Sequence, residues 1–503
     1  MRGVTQVPAR DPRLDRHVRD LDVTGIEDAA LSECRRHGAG YAAVRVHQTR
    51  SRYVHLRDLD VETATEHREI GVGVRVVVDG AWGFAATSRL DRAAVTDAAR
   101  RACALAARCA HLPGPDVVLA DEPTASGTHI SEYEIDPFSV PMDQMVSLLR
   151  DGCRILAPGV DHTSATVETV LETTYLVDLA GSRIWQQRVR THPVYTAIRI
   201  TDGGFDDMST TAPPSGRGWE YASSAWNWDE ELAQMPGLLD EKLGAPSITA
   251  GRYDLVIDPT NLWLTIHESV GHATEKDRAL GYEANYAGTS FATPDLLGTL
   301  RYGSELMNVR ADRTTAHGLS TVGWDDEAVA AQQWDLVRDG VLVGYQLDRQ
   351  MAGEGQRSNG CAYADSAEHV PIQRMPNVSL QPAADGPATE DLIAGVEDGI
   401  YIVGDKSWSI DMQRFNFQFT GQRFHRIRHG RLTGQVKDVA YQANTLAFWG
   451  ALTALGGPQT YMLGGALNCG KGQPGQVAAV SHGCPSAVFS GINVLNTREE
   501  ARR

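Results

Sequence analysis

Two histidines and a glutamate lie within six positions of the chain and have the chemistry of a hydrolytic metal site. His267, Glu268 and His272 form the pattern His-Glu-x-x-x-His. Imidazole nitrogens are preferred zinc ligands, and a neighbouring carboxylate can take a proton from a water molecule. Residues 262–266 are apolar, so we expect a buried site, where a carboxylate is costly without a cation or hydrogen bonds. A bound metal would offset that cost.

The spacing of the two histidines is awkward on a regular helix. In the familiar His-Glu-x-x-His pattern the histidines are four apart and share a face. Five steps of about 100° turn His272 roughly 140° away from His267. Both reach one metal only if the helix is distorted between them, by a π-bulge or a break, and Gly271 is where distortion costs least.

Other interpretations of the same residues stay open at this point. Glu268 and His272 are four apart and could be the co-facial ligand pair. Two histidines at this spacing can also be ordinary polar residues. Spacing alone therefore does not decide the ligands.

The elements around the motif follow from the local pattern. Residues 255–257 are apolar and predict a strand that ends at Pro259. Thr260 or Asn261 can cap a helix over residues 262–275. A small-residue loop over 464–471 has room for a close approach of its backbone to a metal.

The length of 503 residues predicts more than one domain. The pattern indicates an α+β protein, with an N-terminal α/β domain over residues 1–245 and a C-terminal, mostly β domain over 246–503 that carries the metal-binding helix. Proline- and glycine-rich stretches at 112–136 and 203–218 predict linkers or surface excursions. The predicted helices are 26–37, 92–110, 143–156 and 229–243. The predicted strands are 41–47, 51–56, 70–78, 81–85, 165–178 and 182–201, with a hairpin turn at Asp79-Gly80.

Composition excludes several classes of protein. The hydrophobic fraction of 42% and charged fraction of 22% are those of an ordinary globular protein. A net charge of -17 argues against nucleic acid or an anionic membrane as the main partner. The N-terminus lacks an apolar signal-peptide core, and no apolar run reaches the ~18 residues of a membrane helix. Seven cysteines, an odd and sparse set, favour the reducing cytoplasm.

Segments spread over nearly the whole chain resemble the TldD/PmbA family of metallopeptidases. These segments are Gly40-Tyr41-Ala42-Ala43-Val44-Arg45, Gly71-Val72-Gly73-Val74-Arg75-Val76, Gly80-Ala81-Trp82-Gly83-Phe84-Ala85, the His-Glu motif, Arg374-Met375-Pro376-Asn377, Gly399-Ile400-Tyr401 and Cys469-Gly470-Lys471-Gly472-Gln473. Each is short, and their order along the chain makes the resemblance specific. It implies a TldD-like fold.

The resemblance also implies a set of roles. In the catalytic, TldD-like branch His267, His272 and Cys469 would hold Zn²⁺ and Glu268 would be the general base. The sister branch, PmbA or TldE, lacks these residues. Lys471 would favour the thiolate form of Cys469, and Cys484, near His482, is the rival ligand.

Four further residues are candidates for substrate contact. Arg374 and Asn377 could contribute to the substrate cleft or brace a strand. Asp405 and Trp408 lie in residues 404–411, where better-known family members carry a run of glycines, so the pocket would differ here. The alternation of Phe415, Phe417 and Phe419 indicates a core-facing strand; the other five cysteines are interpreted as structural.

These observations predict a cytoplasmic zinc-dependent peptidase that acts on extended or unfolded peptides. Two alternatives remain: a non-catalytic partner subunit, and a tailoring hydrolase that acts on an amide or a peptide-like natural product. The resemblance further implies assembly with a PmbA/TldE-type sister subunit or as a homodimer.

Overall fold

A computed structural model describes residues 10–202 and 204–501 as a mixed α+β fold. The first nine residues, Gly203 and the last two residues fall inside predicted segments but lie outside the described residues. Among the described residues, no strand pairs across residue 245: one set of strands comes from residues 41–209 and the others from residues 251–496. The exact domain boundary stays a prediction.

Strands dominate the fold. The strands are β1 Tyr41–Arg57, β2 Asp60–Val78, β3 Ala81–Thr87, β4 Ser126–Ile130, β5 His162–Asp178, β6 Arg183–Thr201, β7 Gly204–Ser209, β8 Gly251–Ile257, β9 Val309–Asp312, β10 Gln333–Arg338, β11 Val341–Leu342, β12 Ala362–Tyr363, β13 Ile372–Gln373, β14 Asn377–Leu380, β15 Asp398–Ile410, β16 Asn416–Arg428, β17 Arg431–Gln435, β18 Val439–Asn444, β19 Leu452–Leu455, β20 Met462–Lys471, β21 Gln476–Cys484 and β22 Ala487–Asn496.

Helices are few and mostly short in the second half of the chain. The α-helices are α1 Arg16–Arg19, α2 Val23–Arg36, α3 Arg92–Cys109, α4 Met142–Leu156, α5 Trp219–Ser223, α6 Trp228–Gly244, α7 Pro259–Ile266, α8 Lys276–Ala279, α9 Arg349–Ala352, α10 Thr389–Ala394, α11 Thr445–Gly450 and α12 Thr497–Glu500.

The N-terminal strands form one sheet in the order β3-β2-β1-β5-β6-β4, with β7 on β6. All its pairings are antiparallel except β4–β6. The predicted turn at Asp79 and Gly80 is confirmed, since both residues have a positive φ and join β2 to β3.

Two predictions about this part of the chain were wrong. The stretches interpreted as linkers contain β4 and β7, which pair with β6. The two predicted strands over residues 41–56 are one strand, β1, which pairs with β2 along its whole length. Polar, exposed residues make up the first part of β2, so no hydrophobic alternation marked it in the sequence.

The C-terminal strands build the layer that holds the candidate site. The pairings run β15-β8-β22-β18-β16, and β15 also pairs with β16, so these five strands close into a ring. Helix α7 leaves the end of β8, and the separate hairpin β20–β21 packs against it. Phe417 and Phe419 of β16 are buried in the same core as Ile266 of α7, as predicted, whereas Phe415 lies before the strand and is only partly buried.

Charged side chains join the two halves of the protein. Arg45 of β1 pairs with Asp326 at 2.5 Å, and Arg75 of β2 pairs with Glu327 at 2.7 Å. All four side chains are buried, so these ion pairs are shielded from salt and solvent. Within the described residues, no helix is long and apolar enough to cross a membrane.

Candidate metal centre

Helix α7 begins in the turn directly after β8. The Asp258 carboxylate accepts hydrogen bonds from the backbone N–H and the hydroxyl of Thr260 at 3.0 and 2.6 Å, and Pro259 occupies the first helical position. The predicted caps, Thr260 and Asn261, were wrong. The proline predicted to end the strand also starts the helix. The first N–H groups of a helix have no partner within the helix, so a proline there costs no hydrogen bond.

The helix changes type at the motif. Residues His267–Gly271 form a single π turn, and the N–H of His272 donates to the carbonyl of His267, five residues back. This confirms the predicted distortion: the wider turn brings the two imidazoles to the same side, with ring centroids 4.6 Å apart.

Buried side chains satisfy the carbonyls of the altered turn. Tyr302 donates to the carbonyl of Ser269 at 2.5 Å, Thr274 donates to that of Val270 at 2.8 Å, and Gln346 donates to that of Gly271 at 2.6 Å. Thr274 lies one turn further along, whereas Tyr302 and Gln346 come from distant parts of the chain; together they hold the distortion in place.

Gly271 serves packing rather than backbone freedom. Its φ of -54° and ψ of -61° are ordinary helical values. A Cβ atom there would lie 2.6 Å from the Met375 sulfur, so glycine provides room for the Met375 side chain.

Cys469 reaches the imidazoles through a β-bulge in the hairpin β20–β21. The register shifts between Ala466, opposite Val480, and Cys469, opposite Ala478. The extra residue lets Ala466 and Cys469, three positions apart, both face the same cavity. The Cys469 sulfur lies 3.6 Å from Nε2 of His272.

His267, His272 and Cys469 form a donor set that fits a metal ion. One ligand atom from each lies within 4.8 Å of the others, and all three residues are buried. Burial lowers the pKa of His267 and so favours the neutral, ligating imidazole. Burial raises the pKa of the Cys469 thiol, but His272 and Arg374 outweigh it and leave that pKa below its usual value.

Glu268 lies beside these ligands and faces a cation. Arg414 places Nη1 3.9 Å from the Glu268 carboxylate and donates to the carbonyl of Ala287 at 3.1 Å. Burial raises the pKa of Glu268, but the two imidazoles and Arg414 bring it below the ordinary value. The carboxylate is therefore ionised, as a base must be.

A buried charge cluster lies directly behind His272. Nδ1 of His272 is 2.9 Å from the Glu275 carboxylate. Lys471, fully buried, donates to Glu275 at 3.0 Å, Asp277 at 2.8 Å and Gln373 at 2.9 Å. Lys471 therefore compensates buried carboxylates, one of which orients a candidate ligand.

The candidate ligands open onto a cavity of about 610 Å³. Its wall includes Glu268, Asp405, Trp408 and Arg414. A second cavity, of about 270 Å³, shares Trp263 and Asp405 with the first. The two cavities are therefore neighbours that share the wall formed by Trp263 and Asp405; the larger one is called the cleft below.

The structure separates the four predicted substrate contacts into two pairs. Asp405, which accepts from the Trp263 indole at 3.2 Å, and Trp408, 54% exposed, line the cleft. Arg374 does not line it: its guanidinium is buried and donates to the carbonyl of Cys469 at 2.5 Å. This is the bracing alternative, and it supports the bulge that presents the thiol.

Asn377 is likewise buried away from the cleft. Its side-chain amide donates to the carbonyl of Asp312 at 2.8 Å and accepts from the N–H of Ser320 at 3.1 Å. Cys484, the rival ligand, is not in the donor cluster, and its sulfur faces the carbonyl of Pro259.

Sequence reasoning missed Glu275 and Arg414 and left His482 undecided. Glu275 follows His272 by three positions, a spacing that could have marked it as a ligand's hydrogen-bond partner. Arg414 has a φ of 62°, and no sequence signal marks a non-glycine residue in that conformation.

Two family models match the chain: the PmbA/TldA metallopeptidase C-terminal domain over residues 250–496, and the PmbA/TldA metallopeptidase domain 1 over residues 42–106. A metalloprotease of Synechocystis is 28% identical over 459 residues, which is 89% of this chain and 93% of the relative.

Two more distant relatives extend the comparison. A zinc metalloprotease TldD homolog of Saccharolobus solfataricus is 24% identical over 234 residues, 46% of this chain and 50% of that protein. The crystal structure of TldE from Thermococcus kodakarensis superposes with a TM-score of 0.71 at 13% identity, over 93% of this chain and 99% of that one, and so shares the fold.

The charge cluster predicts a large cost for losing one lysine. The cluster holds a second buried cation, Arg278, which pairs with Glu275 and Glu283. Lys471→Met leaves that pairing in place but removes the cation that Asp277 pairs with, so we expect the free energy of unfolding to fall by about 3–5 kcal/mol. Lys406→Met is the matched control: Lys406 is half-buried and pairs with Asp206 and Asp207 near the surface, and its loss should cost at most about 1 kcal/mol. Urea unfolding of the metal-free proteins measures both. Equal losses would contradict the role given to Lys471.

Proposed function

Because the chain belongs to the PmbA/TldD family of metallopeptidases, we propose that it is a zinc-dependent peptidase of the catalytic, TldD-like branch. The observation that carries the proposal is the convergence of His267, His272 and Cys469 at one point beside an ionised Glu268. Zinc is supported by the donor types and by the name of the Saccharolobus relative.

In this proposal His267 and His272 would hold zinc through their imidazole nitrogens and Cys469 would hold it as a thiolate. When bound, zinc supplies a Lewis acid that acidifies water and polarises the scissile carbonyl. Three protein ligands are the number typical of catalytic zinc sites, which keep one position open.

Glu268 does the proton transfer. It accepts a proton from the attacking water and then delivers that proton to the leaving amine. Arg414, 3.9 Å away, stabilises the ionised form of Glu268 before the reaction. The surrounding helix and hairpin bury Glu268, so bulk water competes little for its proton.

Replacing the base should separate chemistry from metal binding. We expect Glu268→Gln to keep about one equivalent of zinc while hydrolysis of an unstructured peptide falls by at least about 10²-fold, because the amide cannot accept the proton. Cys469→Ser should instead lose zinc as well as activity. Zinc content by atomic emission and cleavage by mass spectrometry check both expectations.

The control for charge alone is Glu397→Gln, since Glu397 is exposed, with 78% of its side chain accessible. It should match the unchanged protein in zinc content and rate. Unaltered turnover in Glu268→Gln would exclude Glu268 as the base. If the unchanged protein binds zinc but hydrolyses no peptide, the result would instead favour a non-catalytic partner subunit.

We further propose that Trp408 and Asp405 contact the substrate, an extended or unfolded peptide. Support comes from the position of both residues on the wall of the cavity that also holds the candidate ligands, and from the half-exposed indole of Trp408. The same side chains, with Lys406 in the second cavity, also suit a tailoring hydrolase that acts on a smaller amide or peptide-like natural product. The same residues therefore support both the peptidase and the tailoring hydrolase.

A substrate comparison distinguishes the two candidates. If peptides are the substrates, an unstructured peptide of ten residues should be cleaved at least about tenfold more efficiently than a blocked dipeptide amide, since more of its length gains binding energy. Trp408→Ala should then raise KM for the long peptide and leave zinc content unchanged. A preference for the small amide would favour the tailoring hydrolase.

For the partner, we propose a PmbA/TldE-type sister subunit or a second copy of this chain, in the cytoplasm. The shared fold with TldE supports such pairing, and the unpaired state of all seven cysteines suits a reducing compartment. Light scattering of the purified protein should give twice the mass of one chain if it is a homodimer. If it pairs with a sister subunit, the mass should rise to that of a heterodimer only when that subunit is added. Cell fractionation checks the location.

A further inference from the structure

We propose that His482 is a positioning residue, which fixes the orientation and the tautomer of His267 so that its Nε2 lone pair faces the metal ion. The inference rests on the zinc site of the proposed function. His482 belongs to β21, and His267 begins the π turn that follows α7.

The hydrogen bonds of His482 leave one consistent arrangement of protons. Its Nδ1 lies 2.9 Å from the carbonyl oxygen of Val378. A carbonyl only accepts, so Nδ1 of His482 carries the hydrogen and donates it. In the neutral ring the other nitrogen, Nε2, is then an acceptor.

That acceptor faces His267. Nε2 of His482 lies 2.7 Å from Nδ1 of His267, so His267 donates from Nδ1 and its own Nε2 keeps a free lone pair. Nε2 is the atom that a metal ion needs. The backbone carbonyl of Val378 thus determines, through the rings of His482 and His267, which nitrogen of His267 can bind the metal ion.

Packing holds the relay rigid. The His482 ring is fully buried and lies nearly parallel to the Trp263 indole, with an interplanar angle of 10° and centroids 6.2 Å apart. Trp263 also contacts Gly464, where a Cβ atom would lie 2.6 Å from the indole. Glycine at this position leaves room for the indole beside His482.

The two histidine ligands therefore have different supports. His272 donates to the Glu275 carboxylate, whereas His267 donates to a neutral imidazole. A second carboxylate at this position would add negative charge beside Glu268 and the Cys469 thiolate, and like charges in a buried site are costly. A neutral acceptor orients His267 without that cost.

The test compares three variants by zinc affinity. His482→Val removes the acceptor, and we expect zinc to bind about 10–100-fold more weakly, the usual effect of losing a ligand's hydrogen-bond partner. His482→Gln keeps an oxygen acceptor at the reach of Nε2 and should recover most of that loss. Cys484→Ala is the matched control, since Cys484 lies two positions along the same strand, is equally buried and is outside the ligand cluster.

Competition with a chromophoric zinc chelator measures the affinities. The visible spectrum of Co²⁺-substituted protein reports ligand geometry independently of activity, and it should change in His482→Val but not in Cys484→Ala. Thermal melting of the metal-free proteins checks that each variant folds; the rescue by His482→Gln keeps the test decisive if His482→Val is unstable.

The outcomes separate the two proposals. If the unchanged protein binds no zinc, the proposed function fails and this inference fails with it. If the unchanged protein binds zinc and both His482→Val and His482→Gln bind it equally well, only the role of His482 is overturned. Weaker binding in His482→Val with recovery in His482→Gln supports the relay.

Discussion

The site depends on one widened helical turn. On a regular α-helix, side chains five residues apart point in different directions. Here the hydrogen bond from the His272 N–H to the His267 carbonyl adds one residue to the turn, so both imidazoles point to the same side. The wider turn leaves carbonyls without the hydrogen bonds that a regular helix would give them, and a buried polar group without a partner is costly. Side chains of Tyr302, Thr274 and Gln346 meet that need.

The ligands are supported from three sides by different chemistry. A carboxylate compensated by Lys471 supports His272, an imidazole relay contacts His267, and the Arg374 guanidinium binds the carbonyl of Cys469. Each support comes from a different strand or turn, so the positions of the candidate ligands depend on the packing of the C-terminal strands.

The cleft brings chemistry and recognition into contact. Trp263 packs on His482, donates to Asp405 and lies on the wall of both cavities. A substrate that displaces Trp263 would disturb His482 and, through it, His267. In the proposed function, the Trp263 indole would be the physical link between substrate contact and metal binding.

Sequence patterns alone determined the long, regular parts of this protein and the chemical types at its site. Helix α3, the strands β5 and β6 and the turn at Asp79 follow from local periodicity and turn chemistry, and the five-residue spacing of the histidines required a distorted helix. The sequence did not reveal β4 and β7, because short polar strands carry no periodic signal.

Only the tertiary structure decided which residues meet. Arg374 and Asn377 looked equally suited to the cleft or the core, and burial assigned them to bracing. His482, Glu275 and Arg414 are ordinary polar residues in the sequence; they gain their roles from hydrogen bonds and ion pairs that the folding of strands around α7 creates. Contacts between residues far apart in the chain depend on packing, which local patterns do not encode.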